Sequence, residues 1–402
     1  MFRERIKTHH SAMSEGKKYM VGMGTPQSVL AQANTKEENI ATIYIHVPFC
    51  NKICSFCNMR RSLQQPTKNY ADLIVKEIGE YAKLPYIKTT IFDAVYFGGG
   101  TPTTLSEDDL SRVLKALKRN FKFTVDAEFT IETTVTELTQ DKMKVLIEQG
   151  VNRFSVGVQT FDDEGRKLMR RVGSGEKAYE KLRQLKEYSG ITVSMDLIYN
   201  YPGQTIESLM TDLDKIHELR LDGFSMYSLI NMKETSIDEA QNEKNDENMF
   251  FTISDVMKAR GYHFLELTKM VKGDRYRYIM NRHKGADTLP LGAGAGGSLN
   301  GLAIMNPIKL EEYEQSVLHF QDRKGMLFLP EYENVVRFKG DVQTAYLPRN
   351  EGMYRDKKEY QHFLGELLEN GMVYPTNEGY RLTEKGIFWG NTISRKLSDM
   401  VL

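Results

Sequence analysis

Cysteine is nearly absent from this chain: there are three in 402 residues, Cys50, Cys54 and Cys57, all in one short segment. An odd count with no partner elsewhere excludes a secreted disulfide framework and points to a reducing, cytoplasmic setting. Charge bias is absent too, with 54 basic against 54 acidic side chains. That removes the electrostatic argument for a nucleic-acid or membrane-surface partner. No run of about eighteen apolar residues occurs, and the N-terminal stretch carries charges and the pair His9 and His10 where a signal peptide has an apolar core. Neither export nor membrane insertion is expected.

What is present is concentrated. Three thiolates converging on one point are useful for little besides coordination. Structural zinc would need a fourth ligand, for which only His46 is near in sequence. A redox dithiol would use Cys54 and Cys57 and leave Cys50 without a role. A cubane iron-sulfur cluster held by three cysteines keeps one iron open for another ligand.

From Ala41 to Leu229 short β-branched or aromatic runs alternate with amphipathic stretches, the pattern of βα units around a parallel sheet. Strands are expected at 42–47, 92–97, 127–132, 152–158, 191–198 and 222–229. Leu73, Ile74, Ile78 and Tyr81 recur at helical spacing, as do Leu110, Val113, Leu114 and Leu117. Further helices are expected near 139–149, 162–171, 175–188 and 205–219. Six such units suit an α/β fold, an open, partial (β/α)6 TIM-like barrel. Residues 1–40 read as an arm or as a partly disordered stretch, and 41–230 as the barrel. Residues 231–330, with the polar stretch Asp238 to Glu247 and a glycine-rich segment, read as an accessory region. Residues 331–402, with a hairpin around Pro375 to Gly379, read as a helical, winged-helix-like cap whose balanced charge argues for a lid and against DNA binding.

The unusual polar residues fall where barrels carry their chemistry, at the C-terminal ends of strands. The cysteine loop follows the first strand, Gly98 to Thr103 ends the second, Glu132 the third, Gln159 the fourth, Asp196 the fifth, and Tyr227 lies near the end of the sixth. Glycines at 98–100 permit close backbone approach to a ligand. Glu132 and Asp196 are acids in apolar runs and need compensation, by an ion pair with Arg153 or Arg171 or by a ligand.

Cys50-x3-Cys54-x2-Cys57, with Phe56 before the last cysteine, resembles the radical S-adenosylmethionine (SAM) superfamily. Five segments narrow the likeness: Tyr44-Ile-His-Val-Pro-Phe-Cys50, Gly98-Gly-Gly-Thr-Pro-Thr103, Ser155-Val-Gly-Val-Gln-Thr-Phe161, Leu168-Met-Arg-Arg171 and Met195-Asp-Leu-Ile-Tyr-Asn-Tyr-Pro-Gly-Gln-Thr205. Together they are similar to the oxygen-independent coproporphyrinogen oxidase group. The likeness runs from about Ile43 to Thr205 and returns loosely at Arg381-Leu-Thr-Glu-Lys-Gly386. It implies a 4Fe-4S cluster on Cys50, Cys54 and Cys57 that cleaves SAM reductively. It implies SAM held by Tyr44, Gly99, Gly100, Thr101, Glu132, Gln159, Arg171 and Asp196, with Arg170 a neighbour able to replace Arg171. It also implies a low-potential electron donor of the flavodoxin or ferredoxin type.

Within the group, true oxidases carry a further cysteine two positions after the third ligand, where this chain has Met59. Leu289-Pro-Leu-Gly-Ala-Gly-Ala-Gly-Gly-Ser298 resembles the glycine segment of the anaerobic haem-degrading methyltransferases (anaerobilin synthases), whereas haem chaperones tend to have a histidine there. The resemblance then implies a haem substrate, a methylated linear tetrapyrrole product and two SAM molecules, the second on the backbone at Gly292 and Gly294. Haem carriage and coproporphyrinogen decarboxylation are the alternatives. The glycine segment also spells Gly-x-Gly-x-x-Gly, but the expected lack of a preceding strand, with Pro290 interrupting, argues against a dinucleotide site. For haem itself, His263 and His283 are candidate iron ligands, Arg275, Arg277 and Arg282 candidate propionate partners, and Tyr199, Tyr201 and Tyr227 candidates for the cavity wall.

Overall fold

The computed structural model describes residues 2–7, 13–36, 39–230, 237, 243–349, 354 and 356–401. After a short strand β1 (Met20–Gly24) come β2 (Ile40–Val47), β3 (Ile91–Gly99), β4 (Lys122–Thr134), β5 (Arg153–Gln159), β6 (Thr192–Tyr199) and β7 (Gly223–Ser228). Each of β2 to β6 pairs in parallel with the next. The helices between them include Tyr70–Ala82, Glu107–Asn120, Gln140–Glu148, Gly175–Lys186 and Ile206–Glu218. Four of these start at Ser106, Thr139, Ser174 and Thr205, whose hydroxyls accept from amides of the first turn and satisfy donors the helix cannot.

The two faces of each strand part company at period two. On β2, Ala41, Ile43, Ile45 and Val47 are almost fully buried in the main hydrophobic core, which takes in the apolar stripes of the helices. Each large apolar side chain buried there contributes about 1.5–3 kcal/mol. Tyr44 and His46 lie on the opposite, inner face, in line with Tyr96 and Gly98 of β3.

The strands between His263 and Phe328 extend the barrel's own sheet at both sides. β8 (His263–Glu266) and β9 (Lys269–Val271) add antiparallel strands beyond β7. On the other side β10 (Asp287–Leu291) lies parallel to β2. β11 (Gly296–Leu299), β12 (Leu302–Met305) and β13 (Gly325–Phe328) follow as a meander, with β1 on its outer edge. The order is β1-β13-β12-β11-β10-β2-β3-β4-β5-β6-β7-β9-β8, an open, half-closed barrel. β10 corrects the expectation that no strand precedes the glycine segment. Pro290 is tolerated within it because the ladder to β11 reaches only Thr288, so no bond on that side requires its missing N–H. The segment leads into strand β11 and not a helix, so it is still no dinucleotide site.

In the C-terminal region β14 (Tyr346–Pro348), β15 (Val373–Pro375) and β16 (Gly379–Leu382) form a three-stranded sheet, and the helices there include Lys357–Glu369 and Gly390–Val401. The described part of the N-terminal arm is anchored. Arg5 donates to Phe388 O (2.7 Å) and Asp246 (2.7 Å), and Phe2 packs on Trp389. His9, His10 and residues 238–242 lie outside the described residues.

Candidate active site

The end of β3 is stitched to the start of the cysteine loop. Gly100 N donates to Val47 O and Thr101 N to Phe49 O, both at 2.8 Å. A Cβ on Gly100 would stand 2.5 Å from Phe49 O and 2.8 Å from Pro48 O, so the approach requires glycine. The loop closes on itself through Cys50 N to Ser62 O (2.9 Å) and Ser62 N to Pro48 O (2.7 Å). It docks on the turn beyond β5 through Ser55 Oγ to Leu168 O (2.8 Å).

Cys50 is buried, with its sulfur 3.7 Å from Thr101 Oγ1. Arg171 Nη1 lies 3.1 Å from the Cys54 sulfur, and its other terminal nitrogen donates to Gly157 O. Burial raises the thiol pKa of Cys50 and of Cys57; nearby thiols add to it, while Arg61 opposes it. The sulfurs are thus near enough to feel one another. They are not drawn into a ready cage, since among the described residues no three His, Cys, Asp or Glu side chains converge closely enough to grip an ion. The donor set nevertheless fits an iron-sulfur cluster. Three soft sulfurs share one loop, cations flank them, and Arg171 Nε is buried without a partner. Cys50, Cys54 and Cys57 would hold such a cluster, which supplies an electron to a sulfonium ligand.

The backbone separates Arg170 from Arg171. Arg170 sits in the left-handed region at φ 54°, and that turn sends Arg171 inward while Arg170 faces solvent. Gln159 is also left-handed, at φ 77°, buried, and follows a register shift between β5 and β6. Unfavourable conformations of this kind persist only where the surroundings hold them.

Glu132 accepts from the Tyr96 hydroxyl (2.6 Å) and Gly99 N (3.2 Å). Burial pushes its pKa up to about 7, and the nearby charge of Asp196 adds to the shift. Asp196 is raised as well, again chiefly by burial. The ion pair considered for these acids is not formed. Arg153 holds Asp274 through two bonds of 2.9 and 2.8 Å, and Arg171 is spent on Cys54 and Gly157. Both acids are largely buried and keep only a small accessible surface on the inner wall, where a cationic or hydroxyl-bearing ligand would compensate them. Their depth differs from the expected rim. Glu132 lies two residues inside the end of β4, and Asp196 is mid-strand in β6.

The sequence reading missed His46 as the hub of this wall. Its Nδ1 is 2.9 Å from the Tyr44 hydroxyl and its Nε2 is 3.2 Å from Arg60 O. With a carbonyl at Nε2, the proton sits there and Nδ1 accepts from Tyr44. Burial lowers the imidazole pKa to about 4, so it stays neutral, and with both nitrogens committed it is no fourth zinc ligand. A Cβ on Gly99 would fall 2.6 Å from the His46 ring, and one on Gly292 2.3 Å from His46 O. The readable signal was its period-two register with Tyr44. Also missed was Glu77, an acid inside the apolar stripe of helix Tyr70–Ala82 and fully buried.

Gly292 and Gly294 are close to this hub, but their amides are not free for a second SAM, which corrects the expected mode of binding. Gly292 N donates to Glu77 (2.9 Å), Gly292 O accepts from Asn306 (2.9 Å), and Gly294 N donates to Pro307 O (2.8 Å). These glycines serve close packing against His46.

The haem candidates scatter. His263 is exposed on edge strand β8, and His283 is bonded to Glu266 at 2.6 Å, so neither is placed to ligate iron. Tyr199 is buried against Arg5, and Tyr201 is buried with its hydroxyl at Thr160; only Tyr227 has open surface on the inner wall, near Asp196. Arg275 is exposed beside Asp126, and Arg277 pairs with Asp93 and Asp126 at the opposite end of the strands from the cysteine loop. Arg282 remains on the inner side, against Tyr278.

Residues 44–216 match the model of the radical SAM superfamily. The chain is 28% identical to the anaerobilin synthase of Escherichia coli O157:H7 over 89% of this chain and 84% of that protein. It is 27% identical to the heme chaperone HemW of Lactococcus lactis over 88% and 96%. It is 28% identical to the oxygen-independent coproporphyrinogen III oxidase of Escherichia coli K12 over 72% and 68%. The solved coproporphyrinogen III oxidase of Escherichia coli superimposes at a TM-score of 0.77, with 24% identity over 94% of this chain and 93% of that one, which supports the partial-barrel fold. Family model, relatives and cysteine loop agree: residues 44–216 form a radical SAM domain, and the chain as a whole matches the group in which coproporphyrinogen oxidases, haem chaperones and anaerobilin synthases are found.

Proposed function

We propose that the chain is a radical SAM methyltransferase that opens the haem macrocycle anaerobically, releasing iron and a methylated linear tetrapyrrole. The observation that carries this reading is the glycine segment Leu289–Ser298. It has no histidine and is pinned by Glu77 against His46, next to the cysteine-loop strand. Met59, where an oxidase has its additional cysteine, argues against decarboxylation.

In this reading Cys50, Cys54 and Cys57 hold the cluster, while Gly99, Gly100, Thr101 and Tyr44 shape the SAM cradle. Glu132, Asp196, Gln159 and Arg171 bind its polar groups. An ammonium near Glu132 favours its ionised form and so reverses the effect of burial. The barrel aligns the reactants and keeps water out, and a flavodoxin- or ferredoxin-type donor supplies electrons.

A second reading, haem carriage without turnover, is favoured by the match to 96% of the heme chaperone's length. One anaerobic assay separates them: reconstituted protein, haem, SAM and a low-potential reductant, followed by mass spectrometry. The enzyme yields 5′-deoxyadenosine and a methylated, iron-free product, with the SAM consumed per product counting the molecules used. The carrier returns intact haem. Carbon dioxide and new vinyl groups from coproporphyrinogen would establish decarboxylation and refute the proposal.

A further inference from the structure

Three cations of the barrel are paired with carboxylates, Arg153 and Lys269 with Asp274 and Arg277 with Asp93, while Arg171 bonds the Cys54 sulfur and Gly157 O. Arg282 is different. Among the described residues no carboxylate lies within ion-pair distance of it, and its Nη1 donates to the Tyr278 hydroxyl at 3.3 Å.

Its position follows from its helix, Arg277–His283. Tyr278, one turn earlier on the same face, is buried and stacks on Tyr96 (4.6 Å between ring centres) and Tyr44 (6.2 Å), both on the inner wall. That stack lines the guanidinium up along the tyrosine wall, 5.5 Å from the Tyr278 ring centre. The Tyr278 phenol raises the pKa of Arg282 against the pull of burial, with Tyr276 and Tyr44 adding to it. The residue nevertheless keeps an exposed surface. A cation set among phenols, open on one side and with no carboxylate beside it among the described residues, is a prepared half of an ion pair.

We propose that Arg282 anchors a carboxylate of a ligand bound inside the barrel, the planar guanidinium taking both oxygens. Two ligands carry that chemistry: a tetrapyrrole through its propionates, which rests on the function proposed above, and SAM through its amino-acid end, which does not.

The test titrates cluster-loaded wild type, R282Q and R282K without reductant, using haem, haem dimethyl ester and SAM, followed by absorbance and calorimetry. If the anchor holds a propionate, R282Q loses about ten- to hundredfold in haem affinity and nothing for the ester or SAM, and R282K falls between. If it holds SAM, the same loss appears for SAM and haem affinity is unchanged. The inference is overturned if R282Q binds all three like wild type, or loses haem and ester equally, which marks mere packing on Tyr278. Wild type that binds no haem refutes the tetrapyrrole reading and leaves the SAM arm to decide the role of Arg282.

Discussion

Replacing Glu77 by glutamine should be among the most damaging single changes to this fold, although the two side chains have nearly the same shape. The fully buried carboxylate receives four donors: Gly292 N at 2.9 Å, Asn306 Nδ2 at 2.9 Å, the Tyr313 hydroxyl at 2.7 Å and the guanidinium of Arg323. The substituted amide would keep one accepting oxygen and turn an N–H2 group toward two of those donors, while Arg323, itself buried, would lose its counter-charge. Breaking a buried pair in this way costs about 3–5 kcal/mol. Urea unfolding of wild type, E77Q and E77Q/R323M measures it. The double variant should be more stable than E77Q alone, because it removes the uncompensated cation, so the two effects should not add. Hydrogen exchange at Gly292 and Ala293 should speed up in E77Q, since the glycine segment loses its tether beside His46. An E77Q midpoint equivalent to a loss of less than about 1 kcal/mol, or strict additivity in the double variant, would refute the reasoning.

G100A forces a Cβ to 2.5 Å from Phe49 O and must disturb the two backbone bonds that splice β3 to the cysteine loop, at a cost of about 1–3 kcal/mol; reconstituted G100A should retain less iron and sulfide, and wild-type content would contradict this. C54S removes the sulfur 3.1 Å from Arg171 and should likewise lower bound iron, whereas unchanged iron would remove that residue from the ligand set. Burial pushes the Asp212 pKa from 3.8 to about 7, against bonds from Phe161 N and Thr160 that lower it. Between those values the folded chain binds a proton that the unfolded chain does not, so this group's contribution to stability declines as pH rises through that window and levels off above it. The melting-temperature gap between wild type and D212N should therefore narrow from pH 5 to pH 8, and a gap that widens would show the sign to be wrong.

The sequence by itself determined the six βα units, because their apolar periodicities are local and strong: Leu73, Ile74, Ile78 and Tyr81 all lie in the core, as do Leu110, Val113, Leu114 and Leu117. It also set the cysteine loop after the first strand and the glycine turn after the second, since both follow from short-range spacing. Tertiary structure alone decided the rest. β10 joins β2 across some 240 residues, so no local pattern announces it, and Pro290 argues against it until one sees that the ladder from β10 to β11 ends at Thr288. The fate of each charge was decided the same way: Arg153 goes to Asp274 and Glu77 to Arg323, while Arg282 is left without a carboxylate among the described residues. Hydrophobic patterning depends on a residue's neighbours in the chain, whereas the compensation of a buried charge depends on groups that only folding brings within reach.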